Sequence, residues 1–226
     1  MKQDLSKAST LLYLKSKLTQ SKIEDLYIFS IFDWRKKKEL IIDEIHNHFK
    51  CKKIIIRSSA IDEDSDKATL AGKYKSVLGI NPKIKKEIKK SIAHVIKFLP
   101  KTNNKKNQVF IQKQILNPDF AGVIFTKNIK NFEPYYSINY DDKSSKTNLV
   151  TSGAKGLTKQ LYILRSKKLS SKNKFKIILE SIKELEYYLG DSLDIEFCVK
   201  NKKIYIFQAR KLNLIQHSNI KYKNIY

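Results

Sequence analysis

Two short segments near the end of the chain carry polar residues that could bind a phosphate group and a metal ion. Side chains two residues apart in a strand point to the same side, so Asp194 and Glu196 share a face. Gln208 and Arg210 share a face for the same reason. If residues 201–203 form a three-residue loop, Glu196 lies opposite Gln208 and Asp194 lies opposite Arg210. Oxygen ligands suit Mg²⁺ and a guanidinium binds phosphate bidentately, so the hairpin is a candidate site for a nucleoside triphosphate and its magnesium ion.

The opposite face of this predicted hairpin is apolar and could pack on a core. It carries Ile195, Phe197, Phe207 and Ala209. A second interpretation stays open, in which the polar face is a solvated surface whose charges form exposed ion pairs.

Arginine is rare in this chain, and its positions are therefore informative. Of the 46 Lys and Arg residues, four are arginines: Arg35, Arg57, Arg165 and Arg210. Lysine cannot reproduce the planar, bidentate contact that arginine makes with phosphate. Arg57 ends a β-branched run in the segment Ile-Arg-Ser-Ser-Ala, and Arg210 lies in the hairpin, so we expect both to contact phosphate oxygens. The structural alternative for Arg57 is an ion pair with Asp62 or Asp64.

The composition is that of a globular protein with a strongly basic surface. The 226 residues are 41% hydrophobic and 11% aromatic, which allows a sizeable core and excludes wholesale disorder. The formal net charge is +24, but the lysines are spread along the chain and no nucleic-acid motif is present. A nucleic-acid partner is therefore not the favoured interpretation.

The cysteines and the hydropathy pattern agree with an intracellular protein. Cys51 and Cys198 are isolated beside apolar runs, which favours reduced, buried thiols. No stretch approaches 18 apolar residues, and the N-terminus lacks an apolar signal region, so we expect no membrane span and a cytoplasmic location.

Periodicity predicts an α+β fold in two lobes. Helices are predicted over 5–18, 35–49, 84–99 and 174–189, the last capped by Gly190. Strands are predicted over 26–32, 52–57, 108–116, 121–126, 135–140, 147–151 and 160–165, followed by the hairpin. Pro100 and the polar loop after it indicate a boundary, giving one lobe over 1–100, a second over 101–212 and a tail over 213–226.

Several motifs occur in a fixed order along these elements. They are Leu5–Leu11, Ile54–Ala60, the acidic Asp62–Asp64, Leu70–Tyr74, Val109–Gln114, Ala121–Thr126, Asp194–Glu196 and Gln208–Arg210. Together they resemble the ATP-binding domain shared by pyruvate phosphate dikinase and phosphoenolpyruvate synthase, which belongs to the ATP-grasp class. The resemblance covers about 200 residues and implies a two-lobed nucleotide-binding fold with mixed or antiparallel sheets and flanking helices.

The resemblance also implies roles for individual residues on the phosphate side. Lys7 and Arg57 would neutralise phosphate oxygens, and Arg210 would stabilise charge on the transferring group. Arg57 and Arg210 are therefore the candidate catalytic residues. Thr69 and Gly72 belong to the loop that would approach the nucleotide.

The remaining implied residues concern the base and the metal ion. Strands 108–116 and 121–126, with Gln112, would form the adenine hinge. Asp194 would position the nucleotide, while Glu196 and Gln208 would hold Mg²⁺. ATP and Mg²⁺ are thus the expected cofactors.

Tyr135–Asp141 and Asn148–Gly153 are similar to a subset of this family found in capsule and cell-surface polysaccharide loci, which includes L-glutamine kinase. Two positions depart from the family pattern, namely Ser6 in place of a glycine and Lys211 in place of a proline.

The four histidines also depart from the pattern, because none lies in the phosphohistidine motif Thr-x-Gly-Gly…Ser-His. The resemblance therefore implies an ATP-dependent kinase half. It would phosphorylate a histidine on a separate or downstream domain, which passes the group to a small-molecule acceptor. Two alternatives stay open: a catalytically inactive ATP-binding remnant or regulator, and a basic polyanion-binding protein.

Overall fold

The computed structural model describes residues 6–60, 76–100, 106–128, 133–142 and 158–212. Its elements in chain order are α1 (Lys7–Lys15), β1 (Leu26–Ser30), α2 (Ile31–His48), β2 (Ile54–Ser59), β3 (Ser76–Ile80), α3 (Lys85–Ile96), β4 (Gln108–Lys113), β5 (Phe120–Phe125), β6 (Tyr135–Asp141), β7 (Lys159–Leu164), α4 (Phe175–Leu189), β8 (Leu193–Lys200) and β9 (Lys203–Lys211).

The strands form two antiparallel sheets. The first has the order β1-β4-β2-β3 and the second has the order β7-β6-β5-β8-β9. Because β4 lies in the middle of the first sheet, the chain passes from one sheet to the other between Lys113 and Phe120. The sequence placed this change of lobe at Pro100, four residues after the end of α3, but β4 follows that position and belongs to the first sheet.

Each sheet buries one face under helices. Helices α2 and α3 cover the outer face of the first sheet, where Ile45 and Ile92 pack on Ile111. Helices α1 and α4 cover one face of the second sheet, and Phe110 from the inner face of the first sheet joins this core. The other face of the second sheet, which carries Glu196, is left to meet the first sheet.

The beginning of α2 corrects the predicted strand over 26–32 and the predicted helix start at 35. Ser30 ends β1 and caps α2, because its hydroxyl accepts a hydrogen bond from the Asp33 amide at 3.1 Å. The Asp33 carboxylate in turn accepts from the Ser30 amide at 3.3 Å. This capping box starts the helix four residues early and draws the apolar Ile31 and Phe32 into it.

The hairpin between β8 and β9 pairs the site residues as predicted, but its turn differs from the predicted one. Its loop contains two residues, Asn201 and Lys202, both with positive φ, instead of three. A β-bulge between Glu196 and Phe197, where Phe207 is the extra residue on β9, then shifts the pairing by one residue, so that Glu196 still lies opposite Gln208. The bulge turns Phe207 away from the core face, where the sequence placed it.

The other elements differ from prediction mainly at their ends, and β3 was not predicted. Gly190 caps α4 as expected, with φ of +96° and its amide donating to the Glu186 carbonyl at 2.8 Å. The predicted strand 147–151 and the tail 213–226 lie outside the described residues. None of the helices in the described part of the chain has the length and apolar character needed to cross a bilayer.

Candidate functional site

Arg57 connects the two sheets. It lies in the middle of β2, and its Nη2 donates a hydrogen bond to Glu196 Oε2 on β8 at 2.7 Å. Its Nη1 donates to the backbone carbonyl of Phe207 at 3.1 Å. The guanidinium also lies 5.7 Å from the centre of the Phe110 ring. Two groups that are 139 residues apart in sequence therefore meet between the sheets.

A second arginine–carboxylate pair lies beside the first. Arg210 donates from Nε to Asp194 Oδ2 at 2.8 Å, and its Nη2 lies 2.7 Å from the same oxygen in an ion pair. Asp194 and Arg210 are cross-strand neighbours, which confirms the register expected from the sequence. The carboxylate side chain is 9% exposed and the guanidinium 34%, so this pair lies at the edge of the buried region.

Helix α1 brings Lys7 to the same place. Ser6 is the N-cap, and its hydroxyl accepts from the Ser9 amide at 3.3 Å and donates to Gln108 Oε1 at 3.0 Å. The amide of Ala8 donates to the Ser59 hydroxyl at 3.0 Å, which fixes the helix start against the end of β2. Ser6, which the sequence marked as a departure from glycine, is therefore a helix cap.

The pKa values of the two carboxyl groups in the site are shifted in opposite directions. Burial raises the pKa of Asp194, and neither Arg210 nor Lys7 offsets this effect. Burial also acts to raise the pKa of Glu196, but Arg57, Lys7 and Arg210 together bring it below the ordinary value of 4.5. Glu196 is therefore a carboxylate at neutral pH and can serve as an oxygen ligand.

Two glutamines have buried amides near this site. Gln208 is 3% exposed and lies opposite Glu196. Gln112 is 2% exposed and lies on β4, on the face that also carries Phe110. Its Oε1 has no hydrogen-bond partner among the described residues. Since an unpaired buried acceptor costs about 1–3 kcal/mol, a ligand with a hydrogen-bond donor would relieve this cost.

An apolar cluster adjoins the carboxylates on the same sheet face. It consists of Ile115, Ala121, Cys198 and Phe207. Cys198 is two residues beyond Glu196 on β8 and fully buried, and burial raises the pKa of its thiol to about 12. Both cysteines are free thiols, as the sequence predicted, although Cys51 is only half-buried. The site thus has a charged end at Asp194 and an apolar end near Cys198.

The donor set fits magnesium better than a transition metal. In the part of the chain that the structure describes, no group of three or more His, Cys, Asp or Glu residues is arranged to hold a metal ion. Mg²⁺ requires only one or two protein carboxylates, because phosphate oxygens and waters complete its coordination. Glu196 and Gln208, opposite each other on neighbouring strands, supply oxygen donors of this kind.

The structure brings together most of the residues that the sequence selected. Those gathered around the cleft between the sheets are Lys7, Arg57, Asp194, Glu196, Gln208 and Arg210, with Gln112 on the facing sheet. Thr69 and Gly72 lie outside the described residues. Sequence reasoning missed Ser59 and Gln108, which hold the start of α1. The position of Ser59, two residues after Arg57 on the same strand, was the available signal.

Comparisons with known proteins agree with this architecture. The family model described as pyruvate phosphate dikinase, AMP/ATP-binding domain, matches residues 33–142, a range that includes Arg57 and Gln112 but not Lys7 or the hairpin. No curated protein sequence matches the chain.

Solved structures with a similar fold include the following three. D-alanine-D-alanine ligase from Helicobacter pylori is 14% identical, with 92% of this chain and 54% of the ligase covered and a TM-score of 0.52. D-alanyl-alanine synthetase A from Vibrio cholerae is 14% identical, with 91% and 54% covered and a TM-score of 0.51. The dinucleotide-forming acetyl-coenzyme A synthetase 1 from Ca. Korarchaeum cryptofilum is 12% identical, with 92% of both chains covered and a TM-score of 0.52.

These likenesses establish the fold. The chain has the ATP-grasp fold, with two antiparallel sheets and flanking helices, as the sequence predicted. It spans about half the length of the two ligases.

Proposed function

We propose that this chain binds MgATP in the cleft between its two sheets and acts as the ATP-dependent phosphotransferase half of a kinase. The observation that supports this most directly is the contact between Arg57 and Glu196 across the sheets, with Lys7 and Gln208 beside it. A phosphate-binding guanidinium and a metal-binding carboxylate at one point match what a magnesium triphosphate requires. The ATP-grasp fold and the matching family model support the same conclusion.

Each side chain has a role that its position supports. Arg57 and Lys7 would bind phosphate oxygens, and Glu196 with Gln208 would hold Mg²⁺. The ion would neutralise charge on the phosphate oxygens during transfer. Arg210, held in place by a hydrogen bond and an ion pair with Asp194, would stabilise the negative charge of the transferring group.

The adenine base would lie toward the apolar end of the cleft. Gln112 Oε1, a buried acceptor on the facing sheet, could accept a hydrogen bond from the exocyclic amine of the base. The apolar side chains of Phe207 and Cys198 lie on the same sheet face as Glu196, where a base would follow the phosphates.

The phosphoryl acceptor would be a histidine outside this part of the chain. The three described histidines are engaged elsewhere: His46 with the Pro82 carbonyl at 3.0 Å, His48 with Asp25 at 2.6 Å, and His94 against Phe98. A separate or downstream phosphohistidine domain would then carry the group to a small-molecule acceptor. The similarity of Tyr135–Asp141 to the capsule-locus subset favours an amide such as glutamine as that acceptor.

A second candidate is an ATP-binding module without catalysis. Its support is that the cleft charges already compensate one another, Arg57 with Glu196 and Arg210 with Asp194. Such pairs stabilise a fold whether or not a reaction takes place.

Calorimetry with MgATP, followed by a transfer assay, tests both candidates. The transfer assay uses ATP labelled on the β or the γ phosphate, together with a protein that carries a phosphohistidine domain. We expect saturable MgATP binding and acid-labile label on the partner. Binding without transfer supports the second candidate, and absence of MgATP binding contradicts both.

A further inference from the structure

A cavity lies at the end of the molecule where the hairpin turn meets the end of α2. Its volume is about 630 Å³. It is lined by residues 48–53, residues 113–116, the turn of the β8–β9 hairpin, Tyr205, and the pair Glu24 and Asp25. We call this cavity the turn pocket.

The lining of the turn pocket is rich in lysine even for this chain. The six lysines are Lys50, Lys52, Lys53, Lys113, Lys200 and Lys203, among sixteen lining residues. Lysine accounts for 42 of the 226 residues of the whole chain, because four of its 46 basic residues are arginines. The proportion of lysine in the pocket lining is therefore about twice that of the chain. The pocket therefore concentrates positive charge in a concave surface.

The two acidic residues of the lining do not neutralise this charge. Asp25 is paired with Lys15 and with His48, and Glu24 lies 3.6 Å from Lys113. Within the described parts of the chain, Lys50, Lys52, Lys53 and Lys203 form no ion pair with a carboxylate. Four ammonium groups are thus available to an anionic ligand.

The turn pocket shares residues 113–116 with the strand expected to form the adenine hinge, and Ile115 and Tyr205 with the apolar cluster. It lies outside the phosphate side of the proposed nucleotide cleft. Its lining contains none of Arg57, Gln112, Glu196 or Gln208, and it includes the end of α2, a helix that packs on the outer face of the first sheet. It does touch both sheets, because Lys113 ends β4 and Lys200 ends β8. The Lys200 ammonium donates to the Leu116 carbonyl, which holds the two sides of the pocket together.

We propose that the turn pocket binds a small anion with two or more phosphate groups. Its volume is in the range of small-molecule sites, which is about 300–1,000 Å³. Lysines bind phosphate as point charges, so several of them around one cavity favour a multiply charged ligand over a single carboxylate. Phe49 and Tyr205 add apolar surface that would accommodate an organic portion. Because the ligand would touch both sheets, its binding would restrain their relative movement.

Calorimetry with inorganic tripolyphosphate tests this proposal, and a saturating MgATP analogue blocks the phosphate side of the nucleotide cleft so that the two sites are measured separately. The pocket variant is Lys52→Gln with Lys203→Gln, and the control is Lys86→Gln with Lys90→Gln, which removes the same charge from exposed positions on α3. A second pocket variant, Lys50→Gln with Lys53→Gln, covers the case in which the first one misfolds. All titrations are made at one ionic strength, with and without a saturating, non-hydrolysable MgATP analogue.

With the MgATP analogue bound, we expect one tripolyphosphate site in the wild type, and both pocket variants should weaken it at least tenfold. The control should change its affinity less than twofold, and the MgATP analogue should leave it unaltered. Equal weakening in pocket and control variants would show general attraction to a basic surface and overturn the proposal. Loss of binding when the MgATP analogue is present would overturn it too, because the pocket would then be part of the nucleotide site. A single-stranded oligonucleotide that binds while tripolyphosphate does not would also count against it.

Discussion

Glu196 is the residue at which binding and stability can be separated most clearly. Glu196→Gln keeps the volume of the side chain and an oxygen that can accept a hydrogen bond from Arg57, but removes the charge. On the proposed function, the variant should lose most of its magnesium affinity while folding normally. A matched control exists in Glu186 on α4, which accepts from Arg165 at 2.5 and 3.2 Å and from the Tyr136 hydroxyl at 3.1 Å.

The expected loss of stability is similar for the two variants. Hydrogen bonds to charged groups contribute about 1.5–3 kcal/mol, and glutamine retains part of this, so each variant should lose about 1–2 kcal/mol. The two ion pairs are buried to a comparable degree, with side chains 13% and 19% exposed for Arg57 and Glu196 and 24% and 9% for Arg165 and Glu186. In a chain of this length, a loss of that size lowers Tm by about 2–8 °C, which thermal unfolding measures directly.

The two variants should differ in nucleotide binding. Glu196→Gln should weaken MgATP binding at least tenfold, equivalent to about 1.4 kcal/mol, whereas Glu186→Gln should bind within twofold of wild type. In EDTA the effect of Glu196→Gln on ATP affinity should reverse, because the Glu196 carboxylate repels a metal-free triphosphate. The variant should then bind ATP at least as tightly as wild type. If Glu196→Gln and Glu186→Gln bound MgATP equally well, Glu196 would not be a metal ligand and the proposed site would be wrong.

Three further predictions concern other parts of the structure. The pKa of Glu196 is lowered in the fold, so the stabilisation from its carboxylate is complete above the ordinary pKa of 4.5 and is lost as the pH falls through the folded pKa. From about pH 5 to pH 3, urea unfolding should therefore show that the wild type loses more stability than Glu196→Gln. Gln112→Leu removes a buried acceptor that lacks a partner among the described residues, so the free energy of unfolding should stay equal or rise by about 1 kcal/mol. The affinity for AMP and ATP should fall, and an unchanged nucleotide affinity would show that Gln112 is not part of the site. Gly122→Ala would place a Cβ 2.6 Å from the Asn139 carbonyl oxygen, so denaturant unfolding should show a loss of about 1–3 kcal/mol, and a variant as stable as wild type would contradict the close packing of β5 on β6.

The sequence predicted the pairs within the hairpin better than the contacts between lobes. Alternation along β8 and β9 is a local property, so the shared faces within each strand followed from spacing alone. The pairing of Asp194 with Arg210 also required an assumed loop of three residues. That register depends on a two-residue turn plus a bulge, and these replace the three-residue turn inferred from the loop. The local pattern contained no sign of the bulge, because an inserted residue is visible only once the partner strand is known.

The contact between Arg57 and Glu196 could be anticipated only through the resemblance to a family. No local signal relates residues 139 positions apart, since their meeting depends on how two sheets are stacked. The start of α2 shows the opposite case, because Ser30 and Asp33 form a capping box that can be read from the sequence. The aromatic run from Leu26 concealed it, since apolar periodicity alone cannot separate a buried strand from the first turn of a helix.

The pairing of Arg57 and Arg210 with carboxylates bears on how a nucleotide would enter the cleft. Moving an isolated carboxylate or guanidinium out of water is costly, and the structure avoids this by placing Arg57 on Glu196 and Arg210 on Asp194. A magnesium triphosphate would offer an anion to Arg57 and a cation to Glu196, so its binding would exchange partners instead of exposing new buried charge. Because Arg57 also joins the two sheets, the nucleotide would take over that connection, and at one hundred times its Kd it should stabilise the fold by about 2.7 kcal/mol. At the same MgATP concentration, a tenfold loss of affinity leaves about 1.4 kcal/mol of this stabilisation in Glu196→Gln. A thermal shift reduced by half or more in that variant would show that this exchange passes through the Arg57–Glu196 pair.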